Sequence, residues 1–130
     1  MRKVEKEIRE AVQAGHNFKG GNTVVTCTTT DSVVTVSMTL HGNEIYRKVG
    51  AAEYFTLAGW NTFTTRGRLR AMGIPVRCFN FSPMFGSVEI DLRAWYLLSS
   101  FPARAEQVSV PSTVGEFARI LAHSFPGKVA

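Results

Sequence analysis

Hydrophobic positions in the first forty residues change period once, and the change separates a helix from a sheet. Val4, Ile8 and Val12 share one stripe at helical spacing within residues 2–14. Glu5 and Arg9 form an i,i+4 pair on the solvent side, and Gly15 is the stop. From Val34 the period becomes two: Val34, Val36, Met38 and Leu40 alternate with Thr35, Ser37 and Thr39, which predicts a half-buried strand. The segment Val24 to Thr28 precedes it across the turn-prone Thr29-Thr30-Asp31-Ser32, so the two should form a hairpin.

His41-Gly42-Asn43 predicts a second turn, and EIYRKV and EYFTLA then continue the antiparallel meander. A short helix follows, with Thr64 or Thr65 as N-cap and Gly73 at the left-handed C′ position before Pro75. PVRCFNF and SVEIDLR read as a further strand pair, with Val88, Ile90 and Leu92 inward and Glu89, Asp91 and Arg93 outward; Trp95 and Tyr96 close that face. After Ser99 the texture loosens. Thr113 and Glu116 have capping-box spacing ahead of Val114, Phe117, Ala118 and Leu121, which predicts a terminal helix to about Ser124. The expected fold is α+β: an antiparallel sheet of about five to six strands with an N-terminal helix, a short central helix and a C-terminal helix. Residues 1–130 read as one domain, with 99–130 as a C-terminal extension carrying the last helix.

Composition changes this picture little. With 45% hydrophobic and 19% charged residues in 130, the chain can bury a core without metals or disulfides. Charge adds more. The net +5 is concentrated: residues 61–90 carry Arg66, Arg68, Arg70 and Arg77 against Glu89, whereas residues 31–60 set Asp31, Glu44 and Glu53 against Arg47 and Lys48. The charged N-terminus has no apolar signal core and no stretch is long enough to span a bilayer, so a cytoplasmic location in the host cell, without membrane contact, is expected.

Candidate chemistry centres on Leu57 to Gly73, LAGWNTFTTRGRLRAMG. Backbone N–H groups at a helix start attract anions; Asn61, Thr62, Thr64 and Thr65 add donors, and Arg66 and Arg70, one turn apart, add charge. Arg68 extends the basic surface on another side of the helix, and Arg77 lies just beyond it. Trp60 is expected in the core, where an exposed position would instead favour base stacking. His16, His41 and His123 show no metal spacing with Cys27, Cys78 or the carboxylates, and no phosphate-binding glycine loop occurs. The two cysteines suit small buried hydrophobes, and Glu89, Asp91 and Arg93 suit a solvated strand face. No metal, cofactor or enzymatic activity is expected.

LHGNEIYRK, Leu40 to Lys48, and LAGWNTFTTRGRLRAMG together resemble a family of small bacteriophage and mobile-element proteins. Those proteins carry an His-Gly turn, a strand and a Gly-Trp-x-Thr-x-Thr-Thr-Arg-x-Arg-Leu motif, here Gly59, Trp60, Thr62, Thr64, Thr65, Arg66, Arg68 and Leu69. The resemblance spans about Leu40 to Tyr96, and Arg70 stands where asparagine is more usual. It implies a phage accessory protein that occupies a surface on a host defence protein or nucleoprotein complex. The target it points to is a CRISPR-Cas effector, which would make the chain an anti-CRISPR inhibitor. The alternative is a DNA- or RNA-binding module whose arginines contact phosphates. An open sheet edge and the apolar face of the terminal helix also admit a homodimer.

Overall fold

The computed structural model describes residues 2–100 and residue 108. The predicted C-terminal helix lies outside them. Two helices and nine strands occur among the described residues, in an α+β arrangement of two antiparallel sheets. Helix α1 spans Lys3–Ala14, and its Gly15 sits at φ 73°. The Gly15 N–H reaches the Val12 carbonyl and the His16 N–H reaches that of Ala11, the paired bonds of a Schellman stop. Ile8 and Val12 are buried as the stripe predicts, Val4 is half-buried, and Ala11 joins the buried side. Glu5 is buried too, and it is not on the solvent side.

Strands β1 (Phe18–Gly20), β2 (Thr23–Thr30), β3 (Val33–Leu40), β4 (Asn43–Val49) and β5 (Ala52–Phe55) follow one another as a meander. Asp31-Ser32 and His41-Gly42 each place both central residues at positive φ, the turn that matches the twist of a two-residue hairpin. The β3–β4 register shifts after Met38 and leaves Ile45 unpaired, so Ile45 and Tyr46 are both buried although adjacent. Strand β9, Tyr96–Leu97, pairs with β5 and completes six strands in this sheet.

Helix α2, Phe63–Ala71, connects the sheets. Its N-cap is Thr62, not Thr64 or Thr65: the Thr62 hydroxyl accepts from the Thr65 N–H at 3.1 Å. Its end repeats the Schellman pattern, with Gly73 at φ 81° bonded to the Arg70 carbonyl and Ile74 to that of Leu69. Gly67 lets α1 approach closely, since a Cβ there would lie 3.4 Å from a Glu5 carboxylate oxygen.

The second sheet has three strands, β6 (Val76–Phe79), β7 (Ser82–Phe85) and β8 (Val88–Glu89), in that order. PVRCFNF therefore pairs with SPMF, and SVEIDLR does not reach it. Beyond Glu89 the predicted strand ends: the Asp91 carboxylate accepts from the N–H groups of Arg93 and Ala94 and turns the chain. Phe55 of β5 stacks on Phe85 of β7 at 5.9 Å and on Tyr96 at 5.7 Å, which fastens the small sheet to the large one. Ile8, Met38, Tyr46, Phe55, Leu57, Leu69 and Val76 form a single buried cluster with their neighbours. Each large aliphatic or aromatic side chain there contributes about 1.5–3 kcal/mol.

Candidate functional site

The chain leaving β5 is bent twice before α2 begins. Ala58 at φ 53° and Gly59 at φ 87° are both left-handed. Their amides are held: Ala58 N–H by the Thr56 hydroxyl at 3.1 Å, and Gly59 N–H by the Leu92 carbonyl at 2.7 Å. Trp60 N–H then closes back on the Leu57 carbonyl at 2.9 Å. The outcome corrects the expectation of a core tryptophan, because Trp60 is 58% exposed. Two consecutive left-handed residues carry the chain out of the core, and the indole leaves with it.

Asn61 joins three elements. Its side-chain oxygen and its carbonyl both accept from Arg66 Nη1, at 2.6 and 2.9 Å. Its side-chain nitrogen points to the Phe81 carbonyl at 3.4 Å and the Cys78 sulfur at 3.5 Å. The loop before α2 is thereby fixed against the β6–β7 hairpin, whose turn is Asn80-Phe81. Both turn residues have positive φ, 49° and 66°, and Phe81 is 95% exposed. Phe63 and Phe79 are also exposed, at 61% and 56%. Cys78 is exposed and Cys27 half-buried, so neither is the buried small hydrophobe expected from sequence. Burial pushes the Cys27 thiol up from its ordinary range.

The predicted arginines do not act as one group. Arg68 is only 8% exposed; its Nε donates to the Thr23 hydroxyl at 3.0 Å, and its Nη1 is buried without a hydrogen-bond partner among the described residues. Desolvation pulls the Arg68 pKa down, the Glu5 carboxylate opposes that pull, and Arg2 adds to it. The side chain faces α1 and β2, where Leu69 and the rest of the core draw that side of the helix inward. Arg66 is half-buried on Asn61. Arg70 and Arg77 are exposed, and their guanidinium groups hydrogen-bond the backbone carbonyls of Val76 and Gly86. Among the described residues no carboxylate pairs with Arg66, Arg70 or Arg77.

Arg70 and Arg77, together with Arg2, lie on aromatic rings. Arg2 and Arg70 lie 5.0 and 5.8 Å from the Phe63 centroid, and Arg77 lies 5.7 Å from that of Phe79. Sequence reasoning missed Arg2, Phe63, Phe79 and Phe81. The signal that could have found Phe81 is the tight spacing between β6 and β7, which demands a two-residue turn at Asn80-Phe81.

Thr62, Thr64 and Thr65 belong to a different feature, a cleft of about 490 Å³ beside the start of α2. Leu40, Ile45 and Leu57 supply its apolar surface, and Trp60 supplies an aromatic one. His41 and Asn43, from the β3–β4 turn, complete the polar lining with the three threonines. The His-Gly turn and the Trp-Asn-Thr segment thus meet in space. Among the described residues no three His, Cys, Asp or Glu side chains gather as metal ligands, and no helix is long and apolar enough to cross a membrane.

No curated protein and no solved structure matches the chain. One family model does, that of the Kyanoviridae Gp96 protein, over residues 1–85. The match differs from the expected span of Leu40 to Tyr96: it takes in α1 and the whole β1–β5 meander and ends at the close of β7. It covers the Trp60 loop, α2 and the Phe81 turn, and by this match the chain belongs to the Kyanoviridae Gp96 family of phage proteins.

Proposed function

We propose that this phage protein is a non-enzymatic accessory factor that docks on a host nucleoprotein complex and inhibits it, a CRISPR-Cas effector being the target to test first. The docking face is the surface of Phe81, Phe79 and Phe63 with Arg2, Arg70 and Arg77. One observation supports it most: Phe81 projects almost fully into solvent from a turn position that disfavours any side chain with a Cβ. Exposed aromatics beside arginines have the composition of binding hot spots, and the Arg70 and Arg77 guanidinium groups, which pair with no carboxylate among the described residues, suit an acidic rim on the target. Arg66 is no part of this contact face; it holds Asn61, and through it the loop and the hairpin.

The test uses purified effector complexes from a natural host, with size-exclusion co-elution and target cleavage as readouts. Wild-type protein should co-elute with one complex and block its nucleic-acid loading or cleavage. Phe81→Ser and the pair Arg70→Glu with Arg77→Glu should abolish both effects while keeping the native circular dichroism. Undiminished inhibition by both variants would remove this surface from the function.

The exposure of Trp60 favours a second reading, a direct DNA- or RNA-binding module. It predicts retention of single-stranded nucleic acid at low salt. The affinity should fall with a log–log slope of about −2 to −3 if three guanidinium groups each neutralise a phosphate. No retention at low salt would end that reading.

A further inference from the structure

We propose that the cleft between the β3–β4 turn and the start of α2 binds a flat, uncharged heteroaromatic ring of nucleobase size. The inference is independent of the docking face, with which the cleft shares no residue. Its volume of about 490 Å³ falls within the roughly 300–1,000 Å³ of small-molecule sites. Among the described residues that line it there is no lysine, arginine or carboxylate, and His41 is the one titratable side chain. A charged ligand would find no counter-charge among them.

The available polar groups are the Thr64 hydroxyl and the Asn43 amide, each of which both donates and accepts; the Thr62 and Thr65 hydroxyls bond each other at 2.8 Å at the cap of α2, and the Asn43 side-chain nitrogen also points to the His41 carbonyl at 3.4 Å. That combination suits the edge of a ring on which donors and acceptors alternate. Ring faces are provided for by the Trp60 indole and by Leu40, Ile45 and Leu57. The backbone that carries the indole is also held in place. The amides of Ala58, Gly59 and Trp60 are all hydrogen-bonded, and two left-handed residues fix the chain direction, so little backbone ordering remains when a ring stacks on the indole. The bulge in the β3–β4 register turns Ile45 into this space, where strict alternation with its buried neighbour Tyr46 would not.

The experiment titrates the full chain with adenosine, guanosine, cytidine and uridine, following the Trp60 indole N–H and the amides of His41 and Thr62 to Thr65 by NMR. At least one nucleoside should give saturable shifts confined to those groups. Trp60→Ala should weaken it roughly 5- to 150-fold, the span expected for one lost base stack. Trp60→Phe should restore part of the affinity, and Thr64→Val should weaken it without altering the fold. Phe81→Ser, which removes the docking anchor, should leave nucleoside binding unchanged, so the two proposals fail separately. Absence of saturable shifts with all four nucleosides, or equal affinity in Trp60→Ala, would overturn the assignment. So would equal or tighter binding of benzyl alcohol or N-acetylphenylalanine amide, because either ring lacks the polar edge that the cleft is proposed to read.

Discussion

Replacing Phe81 by glycine should make the protein more stable and less functional at once. Asn80 and Phe81 form the two-residue turn between Phe79 and Ser82, with both central φ angles positive. Asn-Gly is the favoured pair for that geometry. A left-handed residue bearing a Cβ costs roughly 1–2 kcal/mol, and glycine removes that cost while losing about 0.4–1 kcal/mol through the freer unfolded chain. The phenyl ring is 95% exposed, so the burial lost is about a twentieth of its side-chain area, on the order of 10 Å² or 0.3 kcal/mol.

At mid-range values the balance favours Phe81→Gly by about 0.5 kcal/mol, or about 1–3 °C in melting temperature for a chain of this size. Urea and thermal midpoints of the purified variant measure that gain, and co-elution with the target complex measures the expected loss of binding. A destabilisation of more than about 1 kcal/mol would refute the reasoning, since it would mean that the ring packs on the fold and is not presented to solvent.

Three further outcomes follow from buried or exposed groups elsewhere. Thr23→Val removes the acceptor of the buried Arg68 Nε and should cost about 1–2 kcal/mol in urea denaturation; Arg68→Met, which also removes the charge, should cost less in the Thr23→Val background than alone. Burial and the Glu53 carboxylate push the Tyr46 phenol well above its ordinary value. The unfolded chain therefore releases that proton first: stability is full below about pH 10 and falls as pH rises above it, and Tyr46→Phe should flatten the fall. Cys78 should react with a maleimide in the native protein well before Cys27, whose thiol is half-buried and raised, and the adduct beside Phe79 and Asn61 should block target binding.

The meander was legible because its signals are local and agree. The change to period two at Val34, the Asp31-Ser32 and His41-Gly42 turns, and the glycine stops at Gly15 and Gly73 each carry a backbone requirement that a single sequence displays. Strand β7 was hidden by Pro83, which sits in the middle strand of its sheet where proline is seldom found. Arg68 was misplaced for a different reason. Apart from Leu69 and Ala71, α2 buries Thr65, Gly67 and Arg68, so no apolar stripe marks its inner face and tertiary contacts with α1 and β2 decide the orientation. Glu5 was placed on the solvent side because a carboxylate at i,i+4 from an arginine reads as a surface pair. Its true neighbour, Gly67, is remote in sequence.

Local rules are broken in one region and kept in another. Six non-glycine residues among those described have positive φ; Asp31, Ser32, His41 and Asn80 carry short polar or imidazole side chains, and such residues enter the left-handed region most readily, whereas Ala58 and Phe81 have no such recourse. Those two flank α2, as do Trp60 and Phe79, while Phe63 begins it and the buried, half-satisfied Arg68 lies within it. The β2–β5 meander contributes one exposed large hydrophobe, Val34, and one buried hydroxyl without a partner among the described residues, that of Thr35. Random imperfection would scatter such features over both sheets. Their concentration around one nine-residue helix, cross-linked by Asn61 to the hairpin that bears Phe81, is what a rigid meander supporting a binding surface would show. The stabilising replacement at Phe81 tests that view directly, because a turn selected for folding alone would gain from glycine and lose nothing.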